Sequence, residues 1–268
     1  MKFFSAALAV VLLIVAPARA GETDWRSQLE PATPGKFPAL PGVRMEFKFG
    51  WSNVLEAAKA EATIENRGDK YEARVRGGTE GLARALWPLD AQHSATLQAQ
   101  PLRPIRIAQL ERYRKRTVET QVRYDAKGLS RMRKTSDSKD PGKWKRLTFA
   151  PIYDVIGGVL FVRSQPLEVG DTIGLVCFPG DSPYVAEVHV EGRETVRCMG
   201  RNWPALRLSL EVRRLEVESK RPTKAVKYAK FRSGTIWVSD DDLRIPLRAE
   251  VNVMVGFVYG ELTEFKRL

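Results

Sequence analysis

The sequence predicts a mainly β protein: one large antiparallel sheet, curved or closed, with one clear helix and one short one. Three observations predict it. From Val43 onward apolar and polar residues alternate with period two, the mark of half-buried strands. Turn residues recur roughly every 8 to 12 residues, which is the spacing of an antiparallel sheet rather than of βαβ units. Only two stretches carry helical signals.

The strands begin with Met45, Phe47, Phe49 and Trp51 facing one way and Glu46 and Lys48 the other. Ala60, Ala62 and Ile64, the turn Gly68-Asp69, then Tyr71, Ala73 and Val75 form a hairpin. Thr79 is placed to cap a short helix over 79–87, with Leu82, Ala85 and Leu86 as its apolar stripe and Pro88 as its stop. Strands follow through His93, Ala95 and Leu97, through Ile105 and Ile107, and through Val118, Val122 and Tyr124. The cluster Arg112–Arg116 falls at the bend between the last two. A straight strand would put Arg112, Arg114 and Arg116 on the same face as Val118 and Val122. Asp125 to Gly128 is a turn, Leu129 to Lys134 a strand and Ser136 to Gly142 a polar loop.

The clear helix spans 152–164. Ile152, Val155, Ile156, Val159 and Leu160 recur at helical spacing, and Asp154 suits the first turn. Gly157-Gly158 weakens it by roughly 1 kcal/mol per glycine but would let a neighbouring element approach closely. Further strands are expected near 172–178, 184–190, 195–198, 205–217, 228–238 and 245–259, with Asp240-Asp241-Asp242 as a hairpin turn rather than a calcium loop.

Residues 1–20 predict a secretory signal peptide: Lys2, the apolar run Ala6 to Val15, then Pro17 and the small-residue site Ala18-Arg19-Ala20. The run is about half of the roughly 20 residues that span a bilayer, so cleavage is favoured over an anchor, and no later stretch is long and apolar enough to cross. No cysteine follows the cleavage site for lipid attachment. Residues 21–42, with Pro31, Pro34, Pro38 and Pro41, predict an extended leader on the surface or disordered, and 43–268 a single β domain. A periplasmic location follows.

Without Lys2 and Arg19 the formal net charge is +10, and residues 103–146, with 15 Lys or Arg against 5 Asp or Glu, account for all of it. Export argues against nucleic acid as the partner. The alternatives are a solvated basic face or a surface for anionic lipid, lipopolysaccharide or acidic glycan. Arg112, Arg114, Lys115, Arg116, Arg131 and Arg133 are the candidate ligand-binding residues, through charge-assisted hydrogen bonds to phosphate or carboxylate.

Cys177 and Cys198 lie in strand-like segments, and in an exported protein an even count favours a disulfide; two buried free thiols are the alternative. No metal or cofactor motif is present, and His93 and His189 lie in ordinary strand alternation. No nucleophile elbow or phosphate loop points to catalysis. Phe47, Phe49, Trp51, Tyr71, Val155, Val159 and Leu160 are expected to fill the inside of the curved sheet, either packed solid or lining a space for a lipid tail.

Several motifs in order resemble the DUF3108 family of exported bacterial proteins. They are F-x-F-G-W at Phe47–Trp51, R-G-G-T-x-G-L-A-R-A-L-W at Arg76–Trp87, Tyr153-Asp154, Leu160–Arg163 with Gln165-Pro166-Leu167, Gly170-Asp171, Ile236–Asp241, Arg244–Leu247 and Gly256. The resemblance implies a half-open β-barrel wrapped around one or two short helices, in the cell envelope, with no assigned catalytic residues. The function expected is non-enzymatic binding of an anionic or amphipathic envelope component. The alternatives are an assembly factor docking on another envelope protein through a sheet edge, and an envelope glycan hydrolase.

Overall fold

The structure, a computed structural model, describes residues 25–29, 33–52, 54–140, 142–227, 233–252 and 256–268. The signal-peptide segment lies outside the described residues. The first eight strands are β1 (Val43–Trp51), β2 (Leu55–Asn66), β3 (Lys70–Thr79), β4 (Leu89–Gln98), β5 (Pro104–Tyr113), β6 (Thr117–Asp125), β7 (Gly128–Thr135) and β8 (Lys145–Leu147). Seven more follow: β9 (Thr172–Cys177), β10 (Tyr184–Cys198), β11 (Arg201–Glu218), β12 (Arg221–Lys227), β13 (Ser233–Ser239), β14 (Pro246–Asn252) and β15 (Phe257–Arg267).

All join one antiparallel sheet in the order β8-β7-β6-β5-β4-β3-β2-β1-β15-β14-β13-β11-β10-β9, with β12 beside β11. The expected curved antiparallel sheet is therefore present, and it does not close by strand pairing. Its two end strands are instead tied by the chain after β8. Tyr153 N–H donates to Val176 O, Phe178 N–H donates to Tyr153 O, and Thr148 N–H donates to Lys220 O. Trp25, Ile107, Val122, Leu129, Ile152, Val176, Phe178 and Leu215 pack behind that seam as one apolar cluster.

Several expectations are corrected. The segments expected at 184–190 and 195–198 are one strand, β10, because its pairing with β11 continues past a bulge between Val190 and Gly192. The last expected strand is a hairpin, with Val251 opposite Val258. The leader is not merely superficial in its described part: Trp25 and Leu40 are buried, and the Trp25 ring packs at a tilt against Phe149 with centroids 5.4 Å apart. The short helix α1 (Gly81–Leu86) caps the outside of the sheet, buries only Ala83, and exposes Leu82 and Leu86. Thr79 does not cap it; its hydroxyl donates to Trp87 O and accepts from Leu89 N–H, pinning the chain on both sides of Pro88.

The second helix, α2 (Val155–Ser164), lies inside the curved sheet and starts three residues later than expected. Asp154 is its N-cap and accepts from the N–H groups of Ile156 and Gly157, so residues before it cannot be helical. Its packed face is also shifted. Val155 and Val159, expected in the core, are 47% and 48% exposed, whereas Gly157, Gly158, Leu160 and Phe161 are buried. Leu160 joins the cluster that holds Leu97 and Leu247, and Phe161 joins that of Leu175 and Leu206. The helix thus packs against both halves of the sheet.

The glycines explain the shift. A Cβ at Gly158 would stand 3.0 Å from Cys177 Sγ, and one at Gly157 would stand 2.7 Å from Asp154 Oδ1 and 2.8 Å from Leu97 Cδ2. Leu97 and Asp154 are fully buried and cannot swing aside. Gly157→Ala should therefore lower stability by about 1–2 kcal/mol in urea unfolding, although helix propensity alone favours alanine by roughly 1 kcal/mol. Gly192 has open space beside it, so Gly192→Ala should change stability by less than about 0.5 kcal/mol. A Gly157→Ala variant more stable than wild type would overturn this account of α2.

Candidate functional site

On the inner face of the sheet, cross-strand partners line up in rows. One row runs Val43, Ile64, Ala73, Ala95, Ile107, Val122, Arg131. The next runs Met45, Ala62, Val75, His93, Gln109, Thr120, Arg133, and the third Phe47, Ala60, Gly77, Ala91, Glu111, Val118, Thr135. With strands about 4.8 Å apart, each row spans roughly 29 Å. The first is almost wholly buried. In the third, Phe47, Ala60, Gly77, Ala91 and Glu111 are half-buried, so the concave face opens toward that end.

The rows change character along their length. On β1 to β4 the open part is apolar and small: Phe47, Phe49, Ala58, Ala60, Gly77 and Ala91. A Cβ at Gly77 would lie 2.8 Å from Ala60 Cβ, which shows how tightly the sheet folds there. On β4 to β7 the same face also carries polar side chains, set among the buried Ala95, Ile107, Val118 and Val122. Gln109 Nε2 lies 3.1 Å from His93 Nδ1 and donates to Pro179 O at 2.7 Å. His93 Nε2 faces the fully buried Asp154 carboxylate at 3.9 Å. Burial pushes the Glu111 carboxyl above its usual range; the Tyr113 hydroxyl bonded to it and the Arg133 and Arg116 charges pull it back, and Asp181 adds to the rise. Burial, then the Glu111 charge and hydrogen bond, push the Tyr113 phenol up. Burial and the Arg133 charge push Arg131 down, and Asp181 opposes them. Arg131 Nη1 donates to Asp181 O at 3.2 Å.

The six candidate basic residues thus fall into two groups. Arg131 and Arg133 sit on the concave face, opposite Val122 and Thr120. Arg112, Arg114, Lys115 and Arg116 sit at the tight β5–β6 turn, where Tyr113 N–H donates to Arg116 O. Arg116 stacks on the Tyr113 ring at 5.1 Å, and Arg114 donates to Ala85 O on α1. The groups that sequence reasoning missed are His93, Gln109, Glu111, Tyr113 and Thr120. Their signal was parity: counting by two from buried Ile107 reaches Gln109, Glu111 and Tyr113, so polar side chains occupy the inward face of β5.

The expected interior space is mostly packed. An apolar cavity of about 140 Å³ remains, lined by Met45, Phe47, Ala62, Ile156, Val159 and Leu160 with Arg163 and Arg244 at its edge. That volume suits a benzene-sized group, not a whole lipid. Tyr71 is buried and donates to Leu40 O rather than lining it, and Trp51 is exposed at the rim. A wider hollow of about 320 Å³ lies across β3 to β6, but it is open and its outward residues carry both charge signs. Asp240-Asp241-Asp242 forms a turn in which Asp241 Oδ1 accepts from Ser239 Oγ, Leu243 N–H and Arg244 N–H. His189 Nδ1 is bonded to Thr172 Oγ1 at 2.7 Å, away from the concave face. Among the described residues no three His, Cys, Asp or Glu side chains converge as a metal requires.

The possible Cys177–Cys198 disulfide is corrected: both thiols are free. Cys177 pairs with Tyr184 at one end of β10, and Cys198 ends that strand fourteen residues on. At about 3.3 Å per residue this is several times the roughly 7 Å that a disulfide allows between Cα atoms. Cys198 Sγ instead donates to Leu262 O at 3.2 Å, and burial pushes the Cys177 thiol up to about 12.

Comparison with known proteins follows from this geometry. The sequence profile of DUF3108, described as a protein of unknown function, matches residues 44–263. The chain resembles the crystal structure of a beta-barrel-like protein of the domain of unknown function DUF1849 from Brucella abortus. The TM-score is 0.57 at 11% identity, covering 85% of this chain and 98% of that one. A protein assigned as exported, with a YmcC-like fold, from Bacteroides fragilis aligns at 10% identity over 87% of this chain and 99% of its own, with a TM-score of 0.37. No curated protein matches the chain in sequence.

Two measurements check the site. Unfolded without reductant, the protein should titrate two thiols with a disulfide-exchange reagent, and native Cys177 at pH 8 should react far more slowly; fewer than two would mean a bond. Glu111 has a folded pKa above its unfolded value, so the native state holds that proton more tightly. The associated stability is full below the unfolded pKa and is lost as pH rises through the folded one. Glu111→Gln should therefore gain thermal stability relative to wild type between pH 4 and pH 7, and a gap constant with pH would refute the burial of the charge.

Proposed function

The chain belongs to the DUF3108 family, and on that premise we propose that it is an exported, non-enzymatic binder of an anionic amphiphile, held on the concave face of its open sheet. The observation that carries this reading is the gradient along the inner rows. A small apolar surface of Phe47, Ala60, Gly77 and Ala91 on β1 to β4 passes over into Glu111 on β5 and, beyond β6, Arg131 and Arg133 on β7. An alkyl chain gains from the first part by leaving water, and a phosphate or carboxylate gains from the guanidinium donors of the second. Arg112, Arg114, Lys115 and Arg116 at the rim attract such a head group without fixing it. The signal-like residues 1–20 support an envelope location.

Glycan hydrolysis has one observation behind it, the Glu111 carboxyl raised beside Asp181. Yet Tyr113 donates to Glu111, and Arg133 and Arg116 favour its ionised form, which opposes the protonated acid such a reaction needs. Docking through a sheet edge is disfavoured, since β8 has only three residues and the β9 edge is bridged by Tyr153.

Calorimetry with dodecyl phosphate below its micelle concentration tests the binding reading, with dodecyl maltoside and dodecyltrimethylammonium as comparisons. Dodecyl phosphate should bind at least about tenfold more tightly than either. Arg131→Gln with Arg133→Gln should remove that preference, because one charge-assisted hydrogen bond is worth roughly 1.5–3 kcal/mol. Equal affinity for the three head groups, or no effect of the double variant, would end the proposal.

A further inference from the structure

The open end of the concave face carries a surface that the binding reading does not use. By register, the end of β1, the start of β2, the end of β3, the start of β4, the end of β5 and the start of β6 all lie at one rim. Four large apolar side chains there face solvent: Val54 at 82%, Leu82 at 70%, Leu86 at 62% and Trp87 at 56%. Trp51 lies at the same rim. These are not frayed ends. Glu80 N–H donates to Ala57 O, Trp87 N–H to Ala83 O, and the Thr79 hydroxyl to Trp87 O, so α1 is held with its apolar stripe outward. A six-residue helix that buries only Ala83 and exposes both leucines forgoes the usual gain of apolar burial.

Cations stand beside the apolar patch. Arg114 donates to Ala85 O and so ties the β5–β6 turn to α1. The acids at this rim form their salt bridges elsewhere, Glu56 and Glu80 with Lys59 and Asp90 with Arg84, although Asp90 lies opposite Arg112 and also feels its charge. Arg112, Arg114, Lys115 and Arg116 make no ion pair among the described residues. We propose that this rim docks the protein on an anionic lipid surface, with Leu82, Leu86, Trp87 and Val54 entering the interfacial region and the four cations lying against the head groups. Leucine and tryptophan next to unpaired arginine and lysine is the chemistry of an interfacial anchor. An apolar protein partner would not call for four cations without salt bridges, and an acidic one would not call for four exposed aliphatic or aromatic groups.

Docking stands on the rim residues alone. That it sets the mouth of the concave face against the bilayer, so that an amphiphile passes in without crossing water, rests on the binding reading above.

The test is co-sedimentation of the mature chain with phosphatidylcholine vesicles, with and without phosphatidylglycerol, at low and at high salt. Partitioning should need the anionic lipid and fall with salt. Each cation near such a surface is worth roughly a fivefold change, so Arg112→Gln, Arg114→Gln and Arg116→Gln together should lower partitioning by about 100-fold. Leu82→Ser with Leu86→Ser should weaken it at least about tenfold at unchanged salt dependence. Bromine-labelled acyl chains should quench part of the tryptophan emission, and Trp87→Phe should lose that part. Arg131→Gln with Arg133→Gln, which abolishes dodecyl phosphate binding if the concave-face reading is right, should leave vesicle docking intact, so the two readings fail separately. Circular dichroism of each variant shows whether it folds. No partitioning into anionic vesicles at low salt, or partitioning unchanged in the folded rim variants, would overturn the proposal. So would a concentration-dependent dimer in sedimentation velocity that Leu82→Ser with Leu86→Ser dissolves, because the rim would then be a protein interface.

Discussion

The buried charges at the two ends of α2 are the constraint on which the remaining architecture hangs. A ten-residue helix about 15 Å long sits within a sheet, and its unpaired end groups need partners from the protein where they are buried. At its start the fully buried Asp154 carboxylate takes two N–H groups. At its end the Arg163 side chain is buried without a carboxylate partner. Its donors go to Pro38 O, Leu243 O and Asp242 O, and burial pushes its pKa down to about 10. Arg244 then returns the arrangement, donating to Arg163 O, Gln165 O and Pro166 O, the carbonyls that the helix end leaves open. Phe37 lies between the two guanidinium groups, 5.1 Å from Arg163 and 3.4 Å from Arg244. Leader, helix and β13–β14 turn are thereby fixed to one another, and removing either charge would leave several buried polar groups without partners.

The position of the helix dictates the shape of the sheet. Strands must curve around α2, and the pairing of β15 with β1 carries that curvature from one half of the chain to the other. The interior near α2 is filled by Leu97, Leu160, Leu247 and Phe161, so complete closure would have nothing further to bury. The sheet instead stops at β8 and β9 and is sealed by Trp25, Ile152 and Phe178 together with the Tyr153 bridge. Away from the helix the inner face stays open: α2 side chains Ile156 and Val159 share a small cavity with Phe47, while Ala60, Gly77 and Ala91 farther along the row stay half-buried.

That open face differs in kind from the core beneath it. Apolar residues on β1 to β4 share their inward parity with Gln109 and Glu111 on β5, Thr120 on β6 and Arg131 and Arg133 on β7, so the partly desolvated Glu111, Arg131 and Arg133 are held among the apolar side chains Ile107, Val118 and Val122. The Arg133 and Arg116 charges offset part of the cost of burying Glu111, whereas Arg131 is relieved by Asp181 against the opposing Arg133 charge. Polar groups so placed cost stability that an all-apolar face would not, and that cost is what the proposed binding role accounts for.

Much of this was legible in the residues alone. Period-two alternation determined the strands from Met45 to Leu97, because the pleat sends alternate side chains to opposite faces whatever they later meet. The crowding of basic residues that a straight strand could not accommodate determined the bend at Arg112–Arg116, and the asparagine-like turn chemistry of Asp241 determined the turn before Arg244. Tertiary structure decided the rest. Periodicity marks an apolar stripe but not which side meets a neighbour, so the helical face turned from Val155 and Val159 to Gly157 and Gly158 once Leu97 and Cys177 packed against it. The outward stripe of α1 was settled the same way, by its tie to Ala57 and Thr79. Partners distant in sequence also separated Cys177 from Cys198 along β10. They brought Arg131 and Arg133 to one face with Glu111 and His93, because cross-strand register is fixed by the whole sheet and not by any strand within it.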